Sequence, residues 1–163
     1  SNCLRRNMAI NPNTQFSNGA VYTADQANRF PRGVMAYNEV TTTDSTVTVE
    51  ELQIVGSSFT AVANRYYRIT YYEPQIGLPA TAGAFALARI RLTNLVGTQL
   101  QLGIVQNAPA TATSYSQPTV WVGTLTAGST VIVGTLSCSS GTASATRSAT
   151  APAQLTVEDI GPA

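Results

Sequence analysis

The residues that could do chemistry in this sequence are few and poorly placed for it. Two adjacent carboxylate couplets occur, Glu50-Glu51 and Glu158-Asp159, the kind of pairing an acid–base site or a cation site draws on. Neighbours along a strand point to opposite faces, so neither couplet converges on one point unless a bulge intervenes. A solvated strand edge is the favoured reading, since a calcium site needs roughly six or more oxygens. There is no histidine, which removes the commonest general base and metal ligand. There is also no lysine, so the abundant serines have no partner to activate them as nucleophiles. No glycine-rich loop runs into a helix with a basic residue, so a phosphate cradle is not expected. The sequence predicts a protein that is not an enzyme, with no catalytic residue, cofactor or metal.

What remains points to surfaces. All nine cations are arginines, whose planar guanidinium makes paired contacts between packed surfaces. Arg89 and Arg91 share a strand face, with Arg65 or Arg68 nearby, and such a cluster reads phosphate or carboxylate. Pairing with Glu39, Glu73 or Glu158 inside an oligomer is the favoured account, because only 10% of the residues are charged. Arg5 and Arg6 are placed to dock an acidic surface. Tyr66, Tyr67, Tyr71 and Tyr72, with Trp121, form the aromatic group, and Tyr66 and Tyr72 share one strand face. Exposed rings there would stack on a sugar, whereas rings packed on a neighbouring subunit or over the core are the favoured alternative. A net charge of +1 leaves no nucleic-acid footprint, and no apolar run approaches the ~20 residues of a membrane span. Cys3 and Cys138 lie far apart in the chain, and unpaired thiols are expected rather than a disulfide.

The elements that position these residues are strands. Residues 1–17 show neither alternation nor helical period, and a polar arm of this kind keeps a path only where its backbone finds partners. Asn18-Gly19 marks a turn. Thr23 and Gln26 form a capping-box pattern, Pro31 stops the helix, and Gly33 permits a sharp redirection, giving one short helix near residues 24–29. Strands are expected at residues 34–40, 46–55 with a bulge at Glu50-Glu51, 59–62, 65–73, 84–92, 99–105, 119–124, 130–137, 142–148 and 154–160. Asn64 should turn the chain in a left-handed conformation. Tyr67, Ile69 and Tyr71 form the predicted core face of their strand, and Leu100, Leu102 and Ile104 that of theirs. Residues 74–83 and 107–117 read as loops, and residues 84–92 carry a second change of phase. Loops too long for hairpins favour Greek-key crossings. The expected fold is all-β: a jelly-roll-like antiparallel β-sandwich over residues 34–163, preceded by an extended N-terminal arm and short helix over residues 1–33.

Four stretches carry a family resemblance: MAINPNTQF from Met8, YTADQANRFPRG from Tyr22, FTAVANRYYRIT from Phe59 and LTVEDIGPA at the end. Together they resemble small virion proteins of tailed phages, especially those of actinobacteria, of the minor tail or head-decoration type. The resemblance covers most of residues 8–163 and leaves residues 1–7 outside; its motifs are structural, and no catalytic residue carries over. It implies a homotrimeric decoration protein on the outer surface of a phage particle, docked to capsid or tail proteins through its arm. Arg5, Arg6, Phe16, Tyr22, Phe30, Tyr66 and Tyr72 are the interaction residues expected on that reading, with Tyr22 and Phe30 pinning the arm's angle on the sheet. The alternative is a minor tail or receptor-binding module recognising a host cell-surface glycan.

Overall fold

The structure is a computed structural model that describes residues 19, 21, 23–107 and 110–163. The predicted interaction residues Arg5, Arg6, Phe16 and Tyr22, the docking role given to the arm, and Cys3 all lie outside the described residues. The short helix forms as its sequence dictates. α1 (Ala24–Asn28) opens with both halves of the capping box in place: the Thr23 hydroxyl accepts from the Gln26 amide, and the Gln26 side chain accepts from the Thr23 amide at 2.9 Å. Gly33 then takes φ +80° and turns the chain into the first strand.

Twelve strands follow among the described residues: β1 (Gly33–Val40), β2 (Asp44–Val47), β3 (Glu51–Val55), β4 (Phe59–Ala61), β5 (Arg65–Leu78), β6 (Phe85–Leu92), β7 (Gln99–Gln106), β8 (Thr113–Thr124), β9 (Gly128–Thr130), β10 (Ile132–Cys138), β11 (Ala143–Ala145) and β12 (Ala153–Pro162). Eight of them build two facing antiparallel sheets, β1-β12-β5-β8 and β3-β10-β6-β7. Ranked along the chain, these eight pair first with eighth, second with seventh, third with sixth and fourth with fifth. That is a long hairpin wrapped into a sandwich, and the predicted jelly roll is what forms. The long β5 carries β12 and then β11 along one side, with β2 beyond β11, and β8 along the other; β4 and β9 form a separate two-stranded piece.

The core lies between the sheets. Tyr67, Ile69 and Tyr71 face inward from β5 as predicted, beside Leu155 and Val157, and oppose Ile54, Ile90, Ile132 and Leu136. Each fully buried Ile or Leu contributes about 1.5–3 kcal/mol relative to exposure, so this layer is the main source of stability. Gly134 has a steric reason: an added Cβ would meet Ile54 Cγ2 at 2.7 Å and the Tyr71 ring at 2.8 Å. Asn64 turns the chain at φ 58°, as expected.

Several expectations are corrected. The run at residues 46–55 is not one bulged strand: β2 belongs to the β1 sheet and β3 to the other, so the change of phase marks a crossing between sheets. β5 continues through Pro74 to Leu78, absorbing the proline in a register shift between Glu73 and Ile76. β6 alternates without a change of phase, burying Ala86, Ala88 and Ile90. In β7 the phase shifts instead, leaving Ile104 57% exposed and Val105 buried. β8 begins at Thr113, inside the stretch expected to be a loop, and residues 130–137 split into β9 and β10. The strand expected at residues 142–148 shortens to β11.

Candidate interaction face

The carboxylate couplets divide as strand geometry requires. Glu158 points outward to Arg68 at 2.7 Å, while Asp159 points inward to a buried pairing with Arg65. Glu50 leaves the edge altogether and accepts from Arg91 at 2.6 and 2.9 Å and from Thr135 at 2.6 Å, with Arg89 at 3.5 Å. Burial alone would raise the Glu50 carboxyl, but the hydrogen bonds from Arg91 and Thr135 outweigh it and hold its pKa below the usual value. Glu51 goes the other way: burial raises it, and the neighbouring Asp44 charge and hydrogen bond raise it further. The arginine pairings expected inside an oligomer are thus made within one chain. Glu73 likewise pairs with Arg147 at 2.5 Å, deep between the sheets, where Tyr71 donates to Glu73 and Gln53 accepts from Arg147. Arg147 was not singled out by sequence reasoning, since nothing in its Ser/Thr/Ala surroundings marks it as a core residue.

The joint between helix and sandwich is built on Arg65. Its guanidinium donates to the carbonyls of Asn28 and Phe30 at 2.6 Å each and to Asp159 Oδ1 at 2.7 Å, and its side chain is 5% exposed. It therefore ties the last turn of α1 to the start of β5 and the end of β12. Phe30, expected to pin this angle by packing, is 41% exposed, and its carbonyl takes a hydrogen bond from Arg65, a polar anchor at the same joint.

The predicted tyrosine face also changes. Tyr66 is buried and Tyr72 half-buried, while Trp121 packs against the core with its ring over Gly123. An open aromatic groove is therefore not assembled from these three residues. The outward side of the β1 sheet instead presents a grid set by register: Tyr37, Thr156, Thr70 and Val120 in one row, and Val34, Glu158, Arg68 and Val122 in the next. Val34 and Tyr37 are three residues apart yet share this face, because the register shifts between Val34 and Ala36. Val34, Tyr37, Val120 and Val122 are all more than two-fifths exposed. The Arg68–Glu158 pair is the charge in these two rows, and its two signs cancel. Such a face favours burial against another surface, because little charge must be desolvated and several apolar side chains leave water.

No protein-family model matches this sequence, and no curated protein matches it. Among solved structures the chain is similar to "Structure of infectious bursal disease virus Gt strain", at 14% identity and a TM-score of 0.27, over 93% of this chain and 47% of that one. It is likewise similar to "Structure of infectious bursal disease virus Gx strain", at 15% identity and a TM-score of 0.28, over 93% of this chain and 43% of that one. The chain thus spans less than half the length of either. The jelly-roll assignment rests on the strand pairing itself.

Proposed function

We propose that this chain is a non-enzymatic structural protein of a virus particle: a homotrimeric decoration or accessory protein of a phage, held on the outer surface through its N-terminal arm. The observation that carries the reading is the neutral Val/Thr/Tyr grid on the outer side of the β1 sheet, which offers a rigid surface to another protein. A jelly roll by itself hosts many roles, so the surface and not the fold bears the weight. Supporting it, the chain commits most of its described charges to internal pairs, which leaves the sandwich a stiff block suited to packing. The grid would form the trimer contact, and the Arg65-anchored joint would hold the arm at a fixed angle to the block.

Two perturbations separate the parts of this reading. Val120→Asp with Val122→Asp should leave the unfolding midpoint nearly unchanged while converting a three-chain species to monomer in light scattering after size exclusion. Deleting residues 1–16 should keep the trimer and abolish incorporation into particles. A trimer unaffected by the two aspartates removes the grid from the contact, and normal occupancy of the truncated chain on particles sinks the docking role of the arm.

A further inference from the structure

A run of polar side chains bridges the two sheets where the chain crosses between them, from β2 to β3. Tyr71 donates to Glu73, Glu73 accepts twice from Arg147, and Arg147 donates to the Gln53 side-chain oxygen. The Gln53 side-chain nitrogen carries the run on to Asp44 Oδ2 at 2.9 Å. Glu51 stands beside Asp44 at its end. One arginine thus serves three carboxyls, Glu73, Asp44 and Glu51.

The last two carboxyls differ in their surroundings. Asp44 accepts from the Thr46 amide at 3.0 Å, the Thr46 hydroxyl at 2.8 Å and Gln53. Oε1 of Glu51 is buried, and no donor reaches it among the described residues. A carboxylate oxygen so placed has lost its water without replacement, and a proton is the simplest remedy, since a protonated Glu51 can donate to an ionised Asp44. Titration runs the same way. Burial and the Asp44 neighbour raise Glu51, while hydrogen bonds from Gln53 and Thr46 outweigh burial and hold Asp44 below its usual value.

The place is mechanically sensitive. β2 has four residues, ends its sheet and pairs with β11, itself three residues long. We propose that Asp44 and Glu51 share one proton and form with it a pH-sensitive clasp at this crossing, holding β2 to β3 while the proton is present and releasing β2 from β11 when it leaves. Release would uncover Val47, which is fully buried when the clasp is closed. The other titratable groups nearby are engaged elsewhere. Glu50 turns to Arg91, Arg147 acts on Asp44 through Gln53 and by its charge, and the Cys138 thiol of β10 donates to the Ser140 carbonyl. β11, Ala-Ser-Ala, brings no titratable side chain. The clasp belongs to the sandwich alone, and neither assembly nor the arm enters its test.

Below 4.5, the ordinary value, Glu51 holds its proton whether the clasp is open or closed. Between 4.5 and the higher value of the closed form, opening releases a proton, so the opening constant should rise about tenfold per pH unit and then level off. Nuclear magnetic resonance of the labelled full chain tests this. The Glu51 carboxyl carbon should titrate above 4.5 and that of Asp44 below 3.8. Hydrogen exchange, corrected for intrinsic rates, should show protection falling about tenfold per pH unit in that window at two amides, Thr46 on Asp44 and Cys138 on the Thr48 carbonyl. The Val157 amide in the core should keep its protection. Glu51→Gln, which carries a permanent donor, should hold Thr46 and Cys138 protected across the same range. A Glu51 titration at or below 4.5, flat protection in the parent chain, or a Glu51→Gln profile that still follows pH overturns the clasp. Protection restored at high pH by calcium chloride also overturns it, because the pair would then be a cation site. The parent-chain titration needs no variant, so a Glu51→Gln chain that failed to fold would leave the test intact.

Discussion

Replacing Arg65 with methionine tests how the helix is joined to the sandwich. The substitution keeps much of the side chain's length and apolar bulk but removes the guanidinium. Asp159, fully buried in its side chain, would then keep the Gly161 amide at 3.0 Å as a donor, and the carbonyls of Asn28 and Phe30 would each lose a 2.6 Å hydrogen bond. Removing one partner of a buried pair costs about 3–5 kcal/mol, because the other charge is stranded away from water. For a chain of this size that lowers Tm by roughly 6–20 °C, at about 2–4 °C per kcal/mol. Against a typical stability of about 5–15 kcal/mol the variant should still fold. Urea titration at constant pH should show a lower midpoint. Adding Asp159→Asn removes the stranded charge, so the double variant should be more stable than Arg65→Met alone. Hydrogen exchange gives the local readout: the amides of Ala27 and Arg29, which bond Thr23 and Gln26 carbonyls, should lose protection before those of β5 and β12. A Tm change under about 3 °C, or no recovery on adding Asp159→Asn, would refute the claim that this pair anchors the joint.

Two further predictions concern the sandwich itself. Glu51 and Glu50 are sequence neighbours with opposite shifts. A raised Glu51 pKa contributes stability that is present below its ordinary value of 4.5 and lost as pH rises through the folded value, so Glu51→Gln should stabilise at pH 7 and have little effect under acid. A lowered Glu50 pKa contributes stability present above 4.5 and lost as pH falls through the folded value, so Glu50→Gln should destabilise at pH 7; matching signs for the two variants in a pH series of thermal melts would contradict the assignment. Gly134→Ala must push against Ile54 and the Tyr71 ring at under 3 Å, and should cost about 1–3 kcal/mol by overpacking; a neutral effect in denaturant titration would mean that the core is looser than this spacing requires.

How legible each feature was in the sequence depends on how local its cause is. The capping box of Thr23 and Gln26, the turn at Asn64 and the inward set Tyr67, Ile69 and Tyr71 are decided by neighbours within a few residues, and all three form as read. The change of phase near Glu50 was equally visible, but a bulge and a crossing between sheets leave the same mark on alternation. Only the partner strand distinguishes them, and β2 pairs with β11 while β3 pairs with β10. The same ambiguity hid the exposed grid, since Val34 and Tyr37 have opposite parity and meet on one face only through the register shift in β1.

The charges carry this reasoning furthest. Strand parity was enough to say that Glu158 and Asp159 must part, one outward and one inward. Parity cannot say which cation lies across the sheet, because Arg65 and Asp159 are 94 residues apart and Arg147 and Glu73 are 74 apart. A carboxylate sent inward must find a donor or forfeit its charge. Arg65 and Arg147 supply that donor for Asp159 and Glu73, deep within the fold.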